Sequence, residues 1–277
     1  MHRYTFKTFA WEIWMLILAL IFCLPLYILI ATALKPSADI FSDPMSFPGH
    51  PDFGNFATAW NDKQTGGLGN AMISSIIITV GSVLVLIVIG SLCAYVISRR
   101  PGKLSTTLYV VFVLGIIIPF QLSVIPVYVL LRKLDLVGTV LGMIVLWVGL
   151  LTPLTVFLYT GFVRALPRDY EEAARMDGAR LMRTFALVVF PLLRPVTGSV
   201  AILTGLFIWN DFFASLIFLG GSSHQTLPVD VYSFVGDYVT QWNLVFATII
   251  IALLPLLAFF LLAQKQLIRG FSSGIRG

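Results

Sequence analysis

Tyr170-Glu-Glu-Ala-Ala-Arg-Met-Asp-Gly-Ala179, continued to Phe190-Pro191, is the most polar long segment of a very apolar chain. Arg164, Arg168, Arg175, Arg180, Arg183 and Arg194 lie in and around it, with Asp169, Glu171, Glu172 and Asp177. Apolar runs flank it on both sides. Charge at this density does not sit in hydrocarbon, so the segment reads as a loop in water between two membrane helices. Its pattern predicts two short helices. Pro167 and the acids Asp169, Glu171 and Glu172 suit a helix N-terminus, where the macrodipole favours negative charge. Ala173, Ala174 and Met176 continue that helix, and Gly178 is placed to end it with a left-handed residue. A second helix runs from Ala179 to about Val189, until Pro191 and Pro195 restart the chain. The expected product is a small, rigid elbow projecting from the membrane, shaped to dock into a partner.

Composition agrees. The chain is 58% hydrophobic and 11% charged over 277 residues, far from an ordinary soluble domain. Its apolar residues fall in runs of the roughly 20 residues that cross a bilayer. The net charge of +5 does not mark a nucleic-acid binder, because the basic residues lie between the runs rather than in one stripe. Cys23 and Cys93 sit inside apolar runs, and His2, His50 and His224 are scattered. That pattern gives neither a disulfide framework nor a zinc site.

In chain order, the expected spans are 13–34, 71–97, 104–131, 140–163, 197–219 and 244–263. Ala31-Thr32-Ala33 resembles a signal-peptidase site. The run before it exceeds the usual ~7–15 residue signal core, so it reads as a retained first span. Lys35 to Asn70 is a polar loop in which Phe53, Phe56 and Trp60 suit a short interfacial helix. Pro119, Gln121 and Pro126 predict a kinked third span. Residues 164–196 form the elbow loop. Gly220 to Asn243 is a second polar loop, with Asp230, Asp237, Tyr238 and Trp242. Residues 264–277 form a polar, basic tail.

Six spans put both ends on one side, and the positive-inside rule chooses which. With the N-terminus cytoplasmic, fourteen of the eighteen basic residues are inside, and only Lys35, Lys63, Arg132 and Lys133 are outside. The elbow and both termini are therefore expected in the cytoplasm.

Polar groups at membrane depth are costly and mark a path or a structural contact. Asp211, beside Trp209 and Asn210, is the acid placed inside an expected span. Trp209, Asn210, Asp211 and Phe213 suit a sugar path, because aromatic faces pack on sugar C–H groups and Asn or Asp bonds hydroxyls. Asp211 also suits a structural bond to another helix or to a partner subunit, and that is the favoured reading. Gln121 and Tyr128 are further candidates for the path.

Glu172-Ala173-Ala174, three residues, Gly178, nine residues, Val188, one residue, Phe190-Pro191 resembles the EAA loop of ATP-binding-cassette importer permeases. That pattern is E-A-A-x3-G-x9-I-x-L-P, so Val188 and Phe190 are apolar substitutions. Trp209-Asn210-Asp211-Phe212 and Thr226-Leu227-Pro228-Val229 resemble the carbohydrate branch. So does the ending from Gln264-Lys265-Gln266 through Arg269-Gly270-Phe271 to Gly274-Ile275-Arg276-Gly277. Taken together, the sequence resembles the maltose-transporter G-type permease family over nearly its whole length.

The resemblance implies an all-α, six-helix type I importer permease in a bacterial or archaeal cytoplasmic membrane. It implies a heterodimer with a second, different permease, two ATP-binding-cassette subunits beneath, and an extracytoplasmic sugar-binding protein. The elbow is then the coupling helix. Glu171, Glu172, Ala173, Ala174, Met176, Asp177, Gly178 and Ala179 are its expected ATPase-coupling residues. Arg269, Gly270, Phe271 and Arg276 are candidates for a tail that enters the ATPase interface, the alternative being a solvated basic tail. There is no G-x-x-x-x-G-K-[ST] phosphate loop. No cofactor is expected in this chain, and ATP and Mg belong to the partner ATPase. The other functional classes are an ion-coupled secondary transporter, which needs intramembrane charge pairs and commonly inverted repeats, an importer of another solute, and a membrane enzyme.

Overall fold

The computed structural model describes residues 6–62, 67–235 and 240–273. Arg3, Lys63, Asp237, Tyr238 and Arg276 lie outside the described residues. Every named element among those described is helical, and the one extended feature is an isolated antiparallel bridge between Val235 and Thr240. Two compact units emerge, one within Met1–Gly69 and Asp230–Leu257, the other within Asn70–Val229 and Ala258–Gly277.

The first unit opens with α1 (Phe6–Ala33), followed by α2 (Asp39–Ser42) and α3 (Gly54–Asn61). Helix α1 is apolar on all sides and exposed along most of its length, the mark of a membrane helix. Its 28 residues rise about 42 Å, enough to cross a bilayer with tilt. Ala31, Thr32 and Ala33 are helical and buried. Lys35 is buried just beyond them, and its ammonium donates to the carbonyls of Asp43 (2.5 Å) and Pro44 (3.2 Å). Asn55 donates to the carbonyls of Ala33 and Lys35, both at 2.9 Å, and accepts from Asn243 at 2.8 Å. These bonds tie down polar backbone that the end of α1 leaves open. The expected interfacial helix is α3. Phe53 and Trp60 are exposed at its ends, while Phe56 packs against a core of Ala33, Ala59, Phe234 and Leu244.

The second unit begins within α4 (Leu68–Arg99) and continues through α5 (Lys103–Ile117), α6 (Phe120–Lys133), α7 (Val140–Ala165) and α8 (Asp169–Met176). There follow α9 (Leu181–Thr184), a π-helical stretch (Phe185–Val189), α10 (Phe190–Leu192), α11 (Arg194–Trp209) and α12 (Phe213–Leu219). Helices α13 (Leu227–Ser233) and α14 (Trp242–Ser273) come last. Three helices, α1, α4 and α7, are each long and apolar enough to cross a membrane. Two bent pairs, Lys103–Ile117 with Phe120–Lys133 and Leu181–Leu192 with Arg194–Trp209, bring the candidates among the described residues to as many as five, and Trp242–Ala258 is a shorter apolar helix.

Two expectations need correction. The third span is broken rather than kinked: α5 and α6 meet at 104°. Proline disfavours helical backbone in the residue before it. Ile118 (ψ 119°) and Pro119 (ψ 128°) are both extended, and two such residues in succession redirect the chain. Pro153, by contrast, leaves α7 continuous, with the Thr152 hydroxyl donating to the Val148 carbonyl at 2.5 Å beside it. The expected span 197–219 is also interrupted, between the end of α11 at Trp209 and the start of α12 at Phe213.

Two apolar cores fill this unit. One gathers Ile78, Leu86, Met143, Trp147, Ile208 and Phe218 from α4, α7, α11 and α12. The other joins Ala94 and Tyr95 of α4 to Tyr159 and Val163 of α7, to Phe185 and Val189 of the π-helical stretch, and to Val196 and Val200 of α11. It lies where the elbow meets the spans.

Helices α4 and α7 approach closely. A Cβ added at Gly90 would lie 2.2 Å from Thr155 Cγ2, and one at Gly81 2.9 Å from Ile144 Cδ1. Small residues of this kind let membrane helices pack without a hydrophobic driving force. Gly90→Ala is therefore expected to lower the thermal unfolding midpoint in detergent, reflecting the ~1–3 kcal/mol that overpacking costs. Gly149→Ala, whose methyl meets nothing within 4 Å, is expected to leave the midpoint unchanged or raise it. Equal midpoints would contradict the tight α4–α7 seam.

Candidate functional site

The elbow is built from its caps. Asp169, Glu171 and Glu172 occupy the first turn of α8, where the exposed amides favour negative charge. At the other end, Gly178 adopts φ +78°. The Ala179 amide donates to the Ala174 carbonyl and the Gly178 amide to the Arg175 carbonyl, both at 2.9 Å. This is the Schellman arrangement, which a left-handed glycine completes. Ala174 and Ala179, the two half-buried alanines, are the pair that this motif brings together. Helices α9 and α10 and the π-helical stretch between them form the second arm, Leu181–Leu192, which bends by 75° into α11 at Leu193.

Glu171 departs from its expected role at the partner-facing surface. It is 4% exposed, and its carboxylate points inward. Arg99 Nε donates to Glu171 Oε1 at 2.5 Å, and the Tyr95 hydroxyl donates to Oε2 at 3.0 Å. Arg99 Nη2 also donates to the Leu166 carbonyl at the end of α7, at 3.0 Å. The Tyr95 ring packs on Phe185 (5.1 Å between centroids), which packs on Phe190 (6.0 Å). One end of α4 thus holds both arms of the elbow, α8 through charge and the second arm through aromatic contact. A buried pair of this kind is costly to break from one side, by about 3–5 kcal/mol, because the remaining charge is left without compensation.

Glu172, Ala173, Met176, Asp177 and Gly178 face outward. Met176 is 89% exposed at the tip, an apolar and adaptable side chain flanked by carboxylates. The surface offered for docking is therefore an exposed methionine flanked by Glu172 and Asp177, with Arg175 and Arg180 also exposed beside it, on a helix fixed from behind. Sequence reasoning assigned Arg99 only to the basic flank of a span and did not single out Tyr95. The available signal was their spacing: Tyr95 and Arg99 are four apart at the end of an apolar helix, so they share a face.

The candidate path residues divide. Asp211 lies in the break between α11 and α12, not inside a continuous helix. Its carboxylate accepts from the amides of Ala214 (3.1 Å) and Ser215 (2.8 Å) and from the Ser215 hydroxyl (3.0 Å). It caps α12, so both oxygens serve the backbone. Asn210 is exposed and donates to the Leu206 carbonyl at 2.9 Å. Phe213 meets Phe120 edge-on at 6.4 Å, and Tyr128 packs on Phe218 at 5.7 Å. The break in the third span therefore abuts the break in the fifth, with Gln121 exposed beside it and Trp209 half buried at the end of α11. Arg269, Gly270 and Phe271 lie in the last turns of α14.

Comparison with known proteins agrees with this architecture. Residues 86–273 match the family described as "binding-protein-dependent transport system inner membrane component". The chain is 39% identical over 272 residues to the melibiose/raffinose/stachyose import permease protein MelC of Bacillus subtilis, covering 97% of each chain. It is 33% identical to the multiple sugar-binding transport system permease protein MsmG of Streptococcus mutans, over 91% of this chain and 90% of that one. A chain from the crystal structure of a bacterial ABC transporter that imports the acidic polysaccharide alginate superimposes with TM-score 0.78 at 19% identity, over 96% of this chain and 99% of that one. With its helical spans, the bent pairs and the elbow between α7 and α11, the chain belongs to the inner-membrane permease components of binding-protein-dependent transport systems.

Proposed function

We infer that this permease is half of the pore of an ATP-driven sugar importer and that the elbow couples it to a cytoplasmic ATPase. The sugar assignment is supported by relatives named for melibiose, raffinose, stachyose and multiple sugars. The pore is completed by a second, different permease. Two ATPase subunits, which bind ATP and Mg, sit beneath the pair, and an extracytoplasmic binding protein delivers the sugar. The membrane is a bacterial or archaeal cytoplasmic membrane, and the distribution of basic residues supports an orientation with both termini and the elbow inside. Arg269, Gly270, Phe271 and Arg276 are candidates for contact with the ATPase.

The observation that carries this reading is Met176, 89% exposed on a helix closed by a Schellman turn and clamped on its inner face. An apolar side chain held rigidly in water at the tip, with Tyr170 and Met182 exposed on the same elbow, has the form of an interface anchor. When ATP closes the two ATPase subunits, a docked elbow moves with them, and the spans attached to it follow.

The test is a complex of this chain with its genome-neighbour permease, ATPase and binding protein in liposomes, assayed for ATP hydrolysis and uptake across a panel of sugars. The expected result is hydrolysis stimulated by sugar-loaded binding protein, with the stimulating sugar naming the substrate. Met176→Asp is expected to fold normally, because the side chain has little intramolecular contact, yet to lose about tenfold or more in stimulated hydrolysis, the effect of 1.4 kcal/mol at an interface. Solute movement by this chain alone, driven by an ion gradient, would contradict the reading.

Asp211 yields a separate expectation. Asn caps a helix about as well as Asp, so Asp211→Asn is expected to keep uptake within about twofold, while Asp211→Leu removes the cap, at a cost of about 1 kcal/mol. Abolished uptake in Asp211→Asn, with the fold intact, would assign the carboxylate a role in transport itself.

A further inference from the structure

We propose that Glu171 and Arg99, with Tyr95, form the joint that transmits displacement of the elbow into α4, and that this joint sets how much sugar moves per ATP hydrolysed. The inference rests on the coupling role given to the elbow above.

The geometry singles out this contact. Helix α8 is joined to α7 by a short linker containing Pro167 and Arg168, and its outward face carries Glu172 and Met176. Of its eight residues, Glu171 alone is buried. Ala174, half buried, is too short to grip a neighbour. The buried hold of α8 on α4 is the Glu171 carboxylate, received by Arg99 at 2.5 Å and Tyr95 at 3.0 Å, with the exposed Arg175 of α8 also beside the Tyr95 hydroxyl. Arg99 also holds the last carbonyl region of α7 through Leu166. Three elements meet at this guanidinium: α4, the end of α7 and α8.

Chemistry explains why such a joint moves as a unit. A charge-assisted bond with a planar guanidinium fixes direction as well as distance. The pair is nearly dry, with the two side chains 10% and 5% exposed, so separating them would strand charge away from water. An elbow drawn by a partner therefore takes α4 with it rather than swinging on its linker. Tyr95 extends the joint, its hydroxyl bound to Glu171 and its ring against Phe185 of the second arm. Arg99 and Glu171 are thus positioning residues, acting through helices and not on sugar or ATP.

The experiment uses the full complex in liposomes and compares wild type with Glu171→Gln, Tyr95→Phe and the exchange of charges Arg99→Glu with Glu171→Arg. Assembly, hydrolysis without sugar, and sugar taken up per ATP hydrolysed are measured for each. Glu171→Gln keeps shape and loses charge. Tyr95→Phe keeps the ring contact and loses one bond, so it remains a test even where Glu171→Gln assembles poorly. The expected result is assembled complexes with basal hydrolysis preserved and uptake per ATP reduced at least about fivefold in Glu171→Gln, the scale of ordinary coupling between sites. A smaller loss in Tyr95→Phe and partial recovery in the charge exchange complete the expected pattern. A merely structural pair would reduce assembly and both activities in proportion, leaving uptake per ATP unchanged, and that result overturns the proposal. If wild type itself shows no sugar-stimulated hydrolysis, the importer reading fails and the joint with it. If wild type is stimulated and Glu171→Gln and Tyr95→Phe keep its ratio, the joint alone fails.

Discussion

Hydrocarbon offers no hydrogen bonds, and that constraint bears on how the described membrane helices end. At the break between α11 and α12, Asp211 takes up the open amides of Ala214 and Ser215. At the start of α7, the Thr139 hydroxyl accepts from the Gly142 amide at 3.0 Å. Where α1 ends, buried Lys35 and Asn55 gather the carbonyls of the following turn. These polar residues in an apolar sequence are spent on backbone. This is why Asp211, conspicuous as a candidate for transport chemistry, turns out to hold a helix end.

The elbow obeys the same logic with a different outcome. Its two arms emerge into water, where helices this short are marginal without tertiary support. The Schellman turn at Gly178 closes α8, and the Tyr95–Phe185–Phe190 stack secures the second arm. The Glu171–Arg99 pair then attaches α8 to the longest straight span of the second unit. The consequence is mechanical. A segment with polar outer residues and an exposed methionine is held as firmly as core, so a force applied at Met176 reaches α4 and α7.

Much of this was legible in the sequence because its signals were local. Apolar run lengths gave the spans, and Gly178 at the end of an Ala-rich helix gave the turn. The parts that were not legible depend on partners far apart in the chain. Glu171 and Glu172 are adjacent acids on one short helix, and only the position of Arg99, 72 residues earlier, turns the first inward while the second faces out. Pro119 and Pro153 look alike in sequence. One breaks its span because Ile118 is also extended, and the other sits in an unbroken helix packed against α5, its ring 3.2 Å from a Cβ added at Gly115.

The central claim is that the tip of the elbow seats in the ATPase. The most direct measurement is cysteine cross-linking in membranes. Cys23 and Cys93 are replaced by Ser, Met176→Cys is introduced, and a panel of single cysteines is placed along the ATPase surface. The account expects a zero-length disulfide from Met176→Cys to one contiguous cleft on the ATPase, formed at high yield and changed by ATP. A cysteine at Ser222, in the loop after α12, is expected to form none. No cross-link from Met176→Cys in an assembled, active complex, or equal cross-linking from Ser222→Cys, would contradict it.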